Sequence, residues 1–99
     1  MKKKLANPHH TEQDFVDLCE AIASISNTED MQILLEDLCT PAEIEALSDR
    51  LKVAKLLDQE LPYRTIAEQT GVSVTTVTRV ARCLNGKLGG YRKIIPASV

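Results

Sequence analysis

Pro62-Tyr-Arg-Thr-Ile-Ala67-Glu-Gln-Thr-Gly71-Val-Ser73-Val-Thr-Thr-Val77-Thr-Arg-Val-Ala-Arg82 is the stretch that decides how this chain folds. Leu61-Pro62 closes whatever precedes it, and residues 63–70 read as a two-turn helix. Gly71-Val72-Ser73 form a tight connection. A second helix runs from Val74 to about Asn85, where Asn85-Gly86 is a natural stop. Two short helices that cross steeply need a small residue on the first inner face, which Ala67 supplies. The turn needs a residue that tolerates a left-handed backbone, which is Gly71. Val72 plugs the corner, Ser73 caps the second helix, and Ile66, Val74, Val77 and Val80 supply a shared apolar interior. Valines at three-residue spacing exclude a strand, whose period is two. The pattern is that of a helix-turn-helix over about 62–85.

The other face of the last helix carries the chemistry. Thr75, Thr76, Thr78, Arg79 and Arg82 project from a helix whose first turn suits a major groove. Hydroxyls can contact phosphates or base edges, threonine methyls can meet thymine methyls, and arginine can clamp guanine or phosphate through two bonds. Tyr63 and Arg64 open the preceding helix, within reach of a nucleic-acid backbone. Ser73 and the free amides beside it can hold a phosphate.

Upstream, Thr11 caps a helix from Glu12 to about Ser26, with Phe15, Leu18, Cys19, Ile22 and Ile25 as its apolar stripe. Asn27 or Thr28 caps a second, short helix with Met31, Leu34, Leu35 and Leu38 on one face. Thr40-Pro41-Ala42-Glu43 is a capping box with proline in the first turn. It opens the longest helix, which extends to about Glu60. Ile44, Leu47, Leu51, Ala54 and Leu57 or Asp58 trace its stripe. The fold class is therefore all-α. The expected layout is a basic flexible tail over 1–11, one domain over 12–88 and a C-terminal tail over 89–99.

The net charge of −2 conceals a division along the chain. Residues 12–61 hold 13 acidic and 3 basic side chains, whereas residues 62–99 hold six basic and one acidic. A basic end on an acidic body fits a polyanion held at one place. Cys19, Cys39 and Cys83 include no C-x-x-C pair, and His9 and His10 stand away from all three, so neither metal nor other cofactor is expected. Free thiols and the lack of an apolar h-region or a membrane-length apolar run point to a cytoplasmic protein with no membrane partner. No nucleophile, base and orienting acid fall together, so an enzyme is not expected.

From Leu38 onward the chain resembles the tryptophan repressor family. Leu38-Cys39-Thr40-Pro41-Ala42-Glu43, Glu45-Ala46-Leu47, Arg50 and Val74-Thr-Thr-Val-Thr-Arg79 carry the resemblance, which extends over about 12–88 and is strongest to the uncharacterised bacterial YerC/YecD branch. It implies an interlaced helical homodimer whose first three helices from both copies share one core. It also implies an effector position at Leu38 and Thr40 of one copy with Arg50, Arg79, Val80 and Cys83 of the other. The repressor has glycine at the position of Val80 and serine at that of Cys83. An isopropyl group there fills ligand space, and a thiol is a weaker polar anchor. The expected function is a sequence-specific regulator on a palindromic double-stranded operator, with no need for L-tryptophan. Two other readings fit the same residues: a protein-interaction dimer without DNA recognition, and a repressor controlled by tryptophan or another small metabolite.

Overall fold

A computed structural model describes residues 6–96 of the chain. The helices are α1 (Glu12–Ala23), α2 (Thr28–Leu38), α3 (Pro41–Asp58), α4 (Tyr63–Thr70) and α5 (Val74–Leu84), followed by a 3-10 turn at Tyr91–Lys93. The described residues contain no strand. The chain divides into two compact units, Met1–Leu38 and Cys39–Val99.

In the first unit, residues 7–10 form a turn, with the His10 amide donating to the Asn7 carbonyl at 3.1 Å. The remainder of the expected basic tail, residues 1–5, lies outside the described residues. Thr11 then starts α1. Its hydroxyl accepts from the Asp14 amide at 3.2 Å and its own amide donates to the Asp14 carboxylate at 2.8 Å. That donation holds the Asp14 carboxyl below its usual range. Ser24 ends the helix a little before the expected Ser26, its hydroxyl donating to the Ala21 carbonyl. Of the two candidates for the α2 cap, Asn27 is the one used, and it accepts from the Asp30 amide at 2.8 Å. Neither helix buries a residue: Phe15 is 57% exposed, and Ile33 and Leu38 are exposed as well.

The second unit contains the core. Thr40 opens α3 with the expected capping box. The Thr40 hydroxyl accepts from the Glu43 amide and the Glu43 carboxylate accepts from the Thr40 amide at 2.8 Å, which lowers the Glu43 pKa. The helix ends at Asp58 rather than Glu60 because Glu60 takes φ 62°, a left-handed conformation that no continuing helix accepts. Val53, Ala54, Ile66, Val77, Val80 and Ile95 form the buried cluster, with Leu51, Leu56, Leu57, Leu61, Ala67, Val72 and Tyr91 packed around it. Helices α3, α4 and α5 thus share one centre, into which α5 directs Val77, Val80, Ala81 and Leu84.

Two details differ from the sequence reading. Val74, expected in the interior, is exposed. It is the first residue of α5, a full turn ahead of the point where that helix enters the core. Ile95, which the expected layout puts in the C-terminal tail, is 7% exposed and belongs to the cluster. Residues 97–99 lie outside the described residues.

Candidate nucleic-acid interface

The joint between α4 and α5 is built from local hydrogen bonds. Gly71 takes φ 76° and donates its amide to the Ala67 carbonyl at 2.9 Å, which ends α4. A Cβ on Gly71 would meet nothing within 4 Å, so glycine is required by the backbone angle and not by space. The Thr70 hydroxyl donates to the Ile66 carbonyl at 2.7 Å and accepts from the Val72 amide at 3.2 Å. It stitches the turn across its open side. The sequence reading missed this threonine, although a hydroxyl just before a turn glycine is the usual signal for such a bond. Ser73 caps α5 as expected, accepting from the Thr76 amide at 3.1 Å.

The predicted contact residues on α5 divide into two groups. Thr75, Arg79 and Arg82 follow at i, i+4 and i+7, and all three are exposed on one stripe of α5. Among the described residues, none of these three makes a side-chain hydrogen bond or ion pair within the chain. Their donors are therefore available to a partner. Thr76 and Thr78 are half-buried and locally engaged. The Ser73 hydroxyl donates to Thr76 Oγ1 at 3.0 Å, and Thr78 Oγ1 donates to the Val74 carbonyl at 3.0 Å. Tyr63 and Arg64 are exposed on the first turn of α4. The α5 N-terminus has no acid in its first turn, so its positive end is not offset. Stripe, arginines and helix pole together make a face suited to a polyanion.

The residues carried over as an effector site are not treated alike. Leu38, in the first unit, and Thr40, Arg50, Arg79 and Cys83, in the second, are all at least partly accessible. Val80 is 1% exposed and belongs to the core cluster with Ile95. Its isopropyl group packs within its own chain instead of lining an open slot. Cys83 borders a cleft of about 580 Å³ formed with Arg82, Gly86, Lys87, Leu88, Gly90, Tyr91 and Ile94. None of the other five carried-over residues lines that cleft.

Arg92 is a further residue that sequence reasoning passed over. Its Nη1 donates to Asp58 Oδ1 at 2.6 Å, across 34 positions of chain, and to the Ile95 carbonyl at 3.5 Å. The available signal was Asp58 itself, an acid at a position in the otherwise apolar stripe of α3.

Residues 13–98 match the family model described as Trp repressor protein. The chain is 41% identical over 68 residues to the uncharacterized protein YerC of Bacillus subtilis (strain 168), a match covering 69% of this chain and 65% of that protein. The matched stretch therefore spans a little under two thirds of YerC. A Trp operon repressor homolog of Xylella fastidiosa (strain M23) is 37% identical over 71% of this chain and 77% of its own length. Among solved structures, a TrpR like protein from Eubacterium eligens ATCC 27750 superimposes with a TM-score of 0.78 at 39% identity. That superposition covers 90% of this chain and 92% of the other.

Proposed function

This chain belongs to the Trp repressor family, and we propose that it is a sequence-specific transcriptional regulator that binds double-stranded DNA as a homodimer without requiring L-tryptophan. One observation carries the DNA reading: the exposed Thr75–Arg79–Arg82 stripe on a capped second helix whose opposite face buries Val77, Val80, Ala81 and Leu84. The core side fixes the helix, and the outer side has free donors for phosphates and base edges. Tyr63 and Arg64 serve as backbone contacts. Thr76 and Thr78 contribute methyl and oxygen surface at the rim.

Dimerisation is supported by α1 and α2, which bury no residue in the single chain and leave several large apolar side chains exposed. Leaving Phe15, Val16, Leu18 and Ile33 in water forfeits roughly 25 cal/mol for each Å² of apolar surface that a partner would cover. A two-fold dimer presents two α5 helices, so its operator is palindromic with half-sites about one helical turn apart. Independence from tryptophan is supported by Val80, whose side chain occupies the core where the family's ligand-binding members have glycine.

The test is selection of bound fragments from random double-stranded DNA, repeated with and without added amino acids. An enriched inverted repeat, the same in both arms, is the expected result. No enrichment would favour a protein-interaction dimer. Enrichment that depends on one amino acid would favour a metabolite-controlled repressor, the reading to which the open cleft beside Cys83 lends support.

A further inference from the structure

We propose that Arg92 and Asp58 are positioning residues for DNA recognition: their ion pair ties the C-terminal segment to α3 and so sets the stance of α5. This inference rests on the regulator reading above. Asp58 is the last residue of α3, where the helix's negative pole opposes a carboxylate. A carboxylate kept there, with its side chain only 14% exposed, needs a cation, and Arg92 supplies one at 2.6 Å. The same guanidinium reaches the Ile95 carbonyl, and the Ile95 side chain lies in the cluster that contains Val77 and Val80 of α5. The segment is thus held at two points, by charge at the end of α3 and by apolar burial beneath α5.

The location of the pair gives it leverage on the reading face. Asp58 and Arg92 line one cleft together with Tyr63, the first residue of α4, and with Ala81, Leu84 and Asn85 at the end of α5. The end of α3, the start of α4 and the end of α5 therefore converge on this ion pair. None of the α5 residues in that cleft belongs to the Thr75–Arg79–Arg82 stripe. The pair is separate from that stripe, and it acts on the stripe by fixing the helix that carries it.

The distinguishing experiment compares wild type, Arg92→Ala, Arg92→Lys and the exchanged pair Asp58→Arg/Arg92→Asp. Each is titrated against the selected duplex and a random duplex over a range of salt, with amide hydrogen exchange read across α5. Arg92→Ala should bind the selected duplex about tenfold more weakly, a loss of about 1.4 kcal/mol. Its random-duplex affinity and salt slope should stay at wild-type values, because no phosphate contact is removed. Exchange at Val77–Leu84 should quicken, and Arg92→Lys and the exchanged pair should each recover part of both effects. Should Arg92→Ala fail to fold, the lysine variant and the exchanged pair carry the comparison, both falling between wild type and complete loss. Equal losses on both duplexes with a shallower salt slope would make Arg92 a phosphate contact and overturn the inference. Wild-type recognition with unchanged variants would overturn it alone, whereas a wild-type protein that binds no duplex would overturn the regulator reading with it.

Discussion

The Gly71 amide donates to the Ala67 carbonyl at 2.9 Å while Gly71 itself takes φ 76°, so the residue that ends α4 also aims the chain into α5. The small side chain at Ala67 and the missing one at Gly71 act at the same joint. Ala67 packs against the core cluster on the inside, and Gly71 turns the chain on the outside.

Replacing Gly71 by alanine should destabilise the protein by about 1–2 kcal/mol, the cost of a left-handed backbone for an L-residue. Asparagine, which tolerates that region better, should cost less. Denaturant titration at fixed protein concentration measures both, and equal stability of wild type and Gly71→Ala would contradict the assigned turn.

Ile94 and Ile95 are neighbours in sequence with opposite surroundings, 63% and 7% exposed. Truncating Ile95 to alanine should cost about 2–4 kcal/mol through lost burial and a residual cavity, while Ile94→Ala should change stability by less than about 0.5 kcal/mol in the isolated chain. The two thermal melts, run at one concentration, give the comparison. A larger loss at Ile94 would mean that a second copy covers that side chain.

Arg79→Ala should weaken binding to the selected duplex more than Lys55→Ala does. Both side chains are exposed, but only Arg79 stands on the α5 stripe. If Arg79 contacts phosphate, the salt slope falls by about one. If it reads a base, the slope holds and discrimination at one position of the site drops by about 1–3 kcal/mol. Fluorescence anisotropy over a salt series resolves the two, and equal losses at Arg79 and Lys55 would displace α5 as the reading helix.

Added L-tryptophan should leave DNA affinity unchanged. Val80→Gly should not behave as a simple opening of ligand space, because the side chain is part of the core. The variant loses a buried isopropyl group and gains backbone freedom inside a helix, together about 2–4 kcal/mol. Calorimetric titration of tryptophan, followed by DNA titration with and without it, checks both statements. A tenfold gain in DNA affinity on tryptophan binding to wild type would refute the first.

Glu43 carries a pKa lowered by the Thr40 amide, so its contribution to α3 is present above the unfolded carboxylate value and is lost as pH falls through the folded one. Glu43→Gln keeps an acceptor in the capping box but does not titrate. The stability difference between the two proteins should be constant near neutrality and should move in favour of the variant as pH drops through the carboxylate range. Melting curves over an acid series follow it, and a pH-independent difference would rule the linkage out. Asp14, held down by the Thr11 amide, predicts the same sign at the start of α1.

Sequence alone determined the features whose partners lie within about one turn of chain: five helices, the caps at Thr11, Thr40 and Ser73, and the left-handed stop at Gly71. Each is decided by backbone groups three or four residues away, and those are legible in order. The stripe of Thr75, Arg79 and Arg82 was legible too, as helical spacing names a face once the opposite face is apolar. Tertiary structure decided what depends on distant partners. It left Val74 outside, carried Ile95 beneath α5, and set Arg92 against Asp58 across 34 positions. Hydrophobicity states that a side chain gains by leaving water, but only the folded path of the chain determines which neighbours it meets there.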